Sequence, residues 1–162
     1  MVVMDQFTRQ FIGFAVHAGP IDGPSVCRLF NSILGGSTGP RYLSSDNLPL
    51  FKFHRCNANL RILDVAEIKT VPYVPLSHPF VERLIGTVRR EFLDYVPFWG
   101  ARDLKRKLHS FKAYYNQDRV HRGLEDAIPD VRLLGGNSNV ARLDDYQWKS
   151  RCRGLYQLPI AA

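Results

Sequence analysis

The sequence predicts a mixed α/β domain, a sheet with helices on both faces. Three observations predict it. Two β-rich runs, Val2–Met4 and Phe11–Val16, stand close together at the start. Shorter strand patterns then alternate with helices, and two amphipathic helices follow over 77–94 and 101–120. At 162 residues, 45% of them hydrophobic, the chain has the length of one ordinary domain and can bury a sizeable core.

The first two runs flank "DQFTRQ" and read as an antiparallel hairpin. In "GPIDGPSVCRLFNSILGG", Asp22 is an N-cap and Pro24 suits a first turn. Val26, Leu29, Phe30 and Ile33 share a face, and Gly35–Gly36 end a helix of about 12 residues. "PRYLSSDN" reads as a short strand closing in a polar turn. A helical turn or two over 49–59 and a strand at Arg61–Val65 follow. In "SHPFVERLIGTVRREFLD", Ser77 is the expected cap and Pro79 the first-turn residue. Val81, Leu84, Ile85, Val88 and Phe92 form the expected buried stripe. Glu82, Arg83, Gly86, Arg89 and Arg90 take the other side. The next helix turns Leu104, Leu108, Phe111 and Tyr115 inward and Lys105, Arg106 and Lys112 outward. Residues 1–129 form the expected domain. Residues 130–162, with "GGNSN", read as an irregular tail.

No apolar stretch approaches the roughly 20 residues needed to cross a bilayer, so no membrane role is expected. Cys27, Cys56 and Cys152 are odd in number and far apart, which argues against a disulfide framework or a structural zinc site. The setting expected is reducing and cytoplasmic. His17, His54, His78, His109 and His121 are scattered and suggest no ligand set. The net charge is +7, and the 40 residues from Arg83 to Arg122 hold ten Lys/Arg against four acids, nearly all of the excess. Such a concentration suits a polyanion such as nucleic acid, and equally a solvated basic helix face.

Two carboxylates stand out. Asp46 ends a strand just before a turn, and Glu82 lies in the first turn of a helix on its non-core side, with 35 residues between them. Hard divalent cations take oxygen ligands, commonly one or two carboxylates. A pair of such ions can activate an attacking oxygen and stabilise a leaving one at phosphorus. Each acid also has a plain structural use, Asp46 in a turn and Glu82 at a helix N-terminus. The residues alone leave both uses open.

Four stretches in order resemble the catalytic core of the DDE transposase and retroviral-type integrase family, in its insertion-sequence branch. "VVMDQFTRQFIGFAV" is similar to its second strand, turn and third strand. "RYLSSDN" resembles the strand bearing the second catalytic Asp, and "PYVPLSHPFVERLIGTVRREFLD" the helix bearing the catalytic Glu. "FKAYYNQDRVHRGLEDAIP" resembles the closing segment, with Asn116, Arg119, His121, Leu124 and Pro129 in the family's order. The resemblance implies a ribonuclease H-like fold. It implies that Asp46 and Glu82 are the second and third catalytic acids, binding Mg2+ or Mn2+. The implied chemistry is attack of water or a DNA 3′-hydroxyl on a DNA phosphodiester.

Two departures accompany the match. "SDNLPLF" stands where the family often has a Gly two residues after the Asp. Asp5 matches the acid at the end of the family's second strand, which shapes the turn and is not a metal ligand. Met1 then falls inside strand two. The first strand and its catalytic Asp are expected to be missing, and the chain as given is expected to be inactive. Arg83, Arg89 and Arg90 share the helix side of Glu82 and are the expected phosphate contacts, with Lys105, Arg106 and Lys112 extending the track. Lys107 is a further candidate for it, and pairing of some of these cations with Glu91, Asp94 or Asp103 is the alternative. The expected partners are DNA and a second copy or a full-length transposase. The alternative function is a non-catalytic, DNA-binding or regulatory fragment.

Overall fold

In a computed structural model, which describes residues 1–35, 39–45, 49–50, 53–69, 78–121, 124, 128–129 and 146–161, the hairpin forms as the sequence predicts. Strand β1 (Val2–Met4) pairs antiparallel with β2 (Phe11–Phe14), with a register irregularity between Val3 and Met4. Asp5 makes the turn between them. Its Oδ1 accepts the Phe7 N–H and its Oδ2 the Thr8 hydroxyl, each at 2.8 Å, the local bonding that makes Asp a turn former. Helix α1 (Gly23–Leu34) is capped by Asp22, whose Oδ1 accepts the Ser25 N–H at 2.9 Å. It ends at Gly35, left-handed at φ 59°. Both ends fall where the sequence puts them.

Strand β3 (Tyr42–Ser45) pairs parallel with β4 (Ala66–Lys69), and α2 (His54–Ile62) connects them. This corrects the strand expected at Arg61–Val65. The helix runs on to Ile62, Asp64 turns left-handed at φ 54°, and the Val65 N–H returns to the Leu60 carbonyl at 2.9 Å. That reversal satisfies the helix end and leaves extended backbone only from Ala66.

Helix α3 (Pro79–Thr87) has Pro79 in its first turn, as expected, and His78 as its N-cap residue. Ser77 lies outside the described residues. From Val88 to Leu93 the helix widens to π geometry, closed by the Asp94 N–H on the Arg89 carbonyl at 3.0 Å. Leu84, Thr87, Val88 and Phe92 are buried, but Ile85 is 49% exposed, which corrects its place in the stripe. Successive residues turn by about 100°, so Ile85 falls past the edge of a stripe centred on Leu84 and Val88. Helix α4 (Ala101–Gln117) buries Leu108, Phe111, Tyr114 and Tyr115.

Residues 146–161, read from the sequence as irregular tail, form an antiparallel hairpin, β5 (Tyr146–Arg151) and β6 (Tyr156–Ala161). It is no loose end. Cys152 is buried in the main core, and Tyr156 stacks on Tyr114 with centroids 4.0 Å apart. The main core joins Phe11 and Phe14 of β2, Leu84, Val88 and Phe92 of the α3 rod, and the buried face of α4. A smaller core of Phe30, Leu60 and Val65, with Met1 and Leu43 against it, lies among α1, α2 and β3. The architecture is mixed α/β, with parallel and antiparallel pairing. Where one continuous sheet was expected, the ladders among the described residues are three separate pairs. No described strand bonds the second edge of β1 or of β3.

Candidate functional site

Glu82 stands in the first turn of α3, exposed to solvent, its N–H bonded to the His78 carbonyl at 3.0 Å. Pro79 starts the helix, and the helix N-terminus favours an anionic side chain there. The Glu82 carboxylate has no hydrogen bond or ion pair among the described residues. Asp46 directly follows Ser45, the last residue of β3, and lies outside the described residues. The Ser45 hydroxyl beside it donates to Glu67 Oε1 at 2.7 Å. Among the described residues no three His, Cys, Asp or Glu gather as a metal cluster. Glu82, unpartnered among the described residues, is nonetheless a hard oxygen donor, so its chemistry fits a divalent cation of the Mg2+ type.

Asp5 is differently placed. Both of its oxygens are engaged in the hairpin turn. That turn is tied to the start of α3, because the Arg9 guanidinium lies over the Phe80 ring, 3.2 Å from its centroid. Arg9, left-handed at φ 63°, thus holds the hairpin beside the helix turn that carries Glu82. The sequence offers no sign of this contact beyond an Arg in a turn, since a cation–π pair across 70 intervening residues leaves no local pattern.

Arg83, Arg89 and Arg90 are all exposed on the α3 rod. Arg90 folds back over Gly86, where a Cβ would sit 3.0 Å from its terminal nitrogen. The bare glycine gives the guanidinium a bed one turn nearer Glu82. The α4 cations divide. Lys105 is exposed, whereas Arg106 pairs with Asp103 at 2.6 Å. Lys112 donates to the Ile12 carbonyl of β2, and Lys107 is buried between Asp103 and the Pro97 carbonyl. Lys105 and Arg106 sit in the second turn of α4, which seven residues separate from the end of the α3 rod at Leu93. Glu82 and the three arginines thus share the α3 rod, whereas Lys105, Arg106, Lys107 and Lys112 belong to α4.

Behind this face a polar network fixes the helices. Arg119 grips Glu91 with two bonds, 3.0 and 2.8 Å, and its charge lies 5.6 Å from the Tyr115 ring. Tyr156 donates to the Glu91 carbonyl at 2.6 Å. Burial, and then the Arg119 charge, hold His121 below the ordinary imidazole range. Asn116 accepts the Phe11 N–H at 2.9 Å and donates to the Phe11 carbonyl at 3.1 Å, as a neighbouring strand would. Asn116, Arg119 and His121 were singled out by order in the sequence. Their structural work is to lock α4 to β2 and to the π-helical turn.

Residues 63–129 match the integrase core domain. An insertion-element protein of 39.2 kDa from Xanthomonas euvesicatoria is 28% identical over 121 residues, 75% of this chain. The chain spans 35% of that relative's length. Among solved structures, a chain of the simian T-cell lymphotropic virus intasome, in complex with the PP2A regulatory subunit B56 gamma, matches at TM-score 0.64. It is 17% identical, over 98% of this chain and 60% of the other. The catalytic core domain of BIV integrase matches at TM-score 0.59 and 19% identity, over 80% of each chain. The fold is that of integrase catalytic cores, the ribonuclease H-like class. No helix among the described residues is long and apolar enough to cross a membrane.

Proposed function

We propose that this chain, whose residues 63–129 match the integrase core domain, is the core of an insertion-sequence transposase, acting on DNA phosphodiesters. The observation that carries the reading is the exposed Glu82, unpartnered among the described residues, on the same helix as exposed Arg83, Arg89 and Arg90, inside the matched region. Glu82 and Asp46 are the acids that hold Mg2+ or Mn2+. Such ions, when bound, polarise the phosphoryl oxygens and favour the deprotonated form of the attacking water or 3′-hydroxyl. The arginines hold the phosphate backbone against the helix without reading sequence. The Arg9–Phe80 contact keeps the Glu82 turn in place. Joining two DNA ends calls for more than one copy, so the working form is a multimer, in the cytoplasm.

These 162 residues on their own are read as DNA-binding without cleavage. Asp5 is used in the hairpin turn, so Asp46 and Glu82 stand as two acids of three. A regulatory chain that occupies DNA or pairs with a full-length transposase is the second reading, and the same use of Asp5 favours it. The test is direct. The purified chain is expected to bind duplex DNA with an affinity that falls steeply with salt, and to leave supercoiled plasmid intact in Mg2+ or Mn2+. Nicking abolished by Asp46→Asn or Glu82→Gln would overturn the inactivity. Nicking lost also in Asp5→Asn would overturn the role given to Asp5. Absence of DNA binding would overturn the whole reading.

A further inference from the structure

The loop at 94–100, between the π-helical turn and α4, carries three exposed aromatic residues. Trp99 is 91% exposed, Tyr95 69% and Phe98 46%. Large aromatics are normally spent on burial, and one this open in a loop that is itself anchored calls for a partner. The anchors are specific. The Tyr95 and Val96 N–H groups both bond the Phe92 carbonyl, at 3.1 and 3.0 Å. Val96 packs on the main core, and buried Lys107 reaches the Pro97 carbonyl. Asp103 Oδ2 accepts the Trp99 N–H at 3.3 Å. Its carboxylate is itself held by Lys107 and Arg106, each at 2.6 Å. The indole is presented on a braced loop.

The charges around it choose the partner. Asp103 is neutralised by its own two cations, and Arg102 and Lys105 are exposed beside the loop with no ion pair among the described residues. Asp94 is the remaining exposed acid there. An apolar protein surface is poorly matched to unpaired cations at its contact. A strand that offers both phosphates and open base faces matches both features: cations track the backbone and flat aromatics stack on bases. In a duplex those faces are already stacked, so the ligand must be unpaired.

We propose that the Tyr95–Trp99 loop, with Arg102 and Lys105, is a second nucleic-acid site that stacks on unpaired bases of single-stranded DNA, at the end of the α3 rod away from Glu82. It rests on the DNA-binding reading above, but uses neither Glu82 nor the three α3 arginines. Stacking there would hold a frayed or displaced strand while the phosphate to be attacked lies at Glu82.

The chain has two tryptophans, Trp99 and Trp148. In Trp148→Phe protein the emission reports Trp99 alone. Titration with a thymidine oligonucleotide of about 16 nucleotides is expected to quench it strongly. Blunt duplex of equal length, and heparin as a polyanion without bases, are expected to leave it nearly unchanged. In the otherwise native chain, Trp99→Ala is expected to weaken single-strand affinity by about tenfold, the scale of one stacked base, and to leave duplex affinity unchanged. Equal quenching by duplex or heparin overturns the proposal, as does no quenching. A Trp99 signal that follows protein concentration alone overturns it in favour of a contact between copies. Duplex binding that persists without Trp99 quenching fails this inference alone. Loss of all DNA binding fails the transposase reading as well.

Discussion

Replacing Asn116 by Ala tests how α4 is tied to the hairpin. The side chain satisfies both backbone groups of Phe11, at 2.9 and 3.1 Å, and Phe11 is fully buried. Truncation removes a donor and an acceptor together. A buried polar group left unpaired costs about 1–3 kcal/mol, and two lie at risk here, so a loss of about 3 kcal/mol is expected. A domain of this size loses about 2–4 °C in Tm per kcal/mol, which gives a fall of about 6–12 °C. Urea denaturation should show a lower midpoint at constant slope. Asn116→Asp keeps the acceptor for the Phe11 N–H but offers the Phe11 carbonyl no donor at neutral pH. It should be destabilised as well, and recover in part as the carboxyl protonates. If Asn116→Ala unfolds within about 0.5 kcal/mol of the native chain, water replaces the side chain at Phe11 and the claim that Asn116 acts as a strand edge is refuted.

The register of α3 predicts a contrast between neighbours. Leu84→Ala, at 1% exposure, should cost about 2–5 kcal/mol in the same denaturation assay, whereas Ile85→Ala should stay within about 0.5 kcal/mol. Gly86→Ala should stabilise the helix by up to about 1 kcal/mol in the same assay, because the flexible Arg90 guanidinium need give only slightly to admit the new Cβ. Asp103 is held down to about 2, first by its Lys107 bond and then by Arg106. An unfolded Asp titrates near about 3.9, so its contribution is complete above about pH 4 and lost as pH falls towards about 2. In the folded protein the carboxyl itself titrates at about 2, so Trp99 emission in Trp148→Phe protein should step there, and Asp103→Asn should remove the step.

Local chemistry was the legible part of the fold. Asp22, Pro24 and Gly35 bound α1 as read, because caps and turns act within a few residues of their position. The strand expected at Arg61–Val65 was misplaced, since Asp64 in a left-handed conformation carries no mark that separates it from an ordinary helix end. The hairpin of β5 and β6 was missed for a different reason. Its Pro159, exposed Trp148 and charged positions break the alternation that signals a strand, and burial of Cys152 and Tyr156 against α4 holds it in place. For the proposed site, helical spacing was enough to put Glu82, Arg83, Arg89 and Arg90 on the exposed side of their helix. Arg9 over Phe80 and Lys112 on the Ile12 carbonyl depend on contacts between elements that no spacing encodes, whereas the pairing of Arg106 and Lys107 with Asp103 follows helical spacing.

The central claim is that the exposed arginines beside Glu82 hold the DNA backbone. The most direct measurement is the salt dependence of duplex binding by the native chain and by the Arg83→Gln/Arg89→Gln/Arg90→Gln variant. Three lost phosphate contacts should reduce the slope of log K against log salt by about 2–3, with the melting temperature retained because all three side chains are exposed. An unchanged slope would contradict the account and move the DNA to another face of the protein.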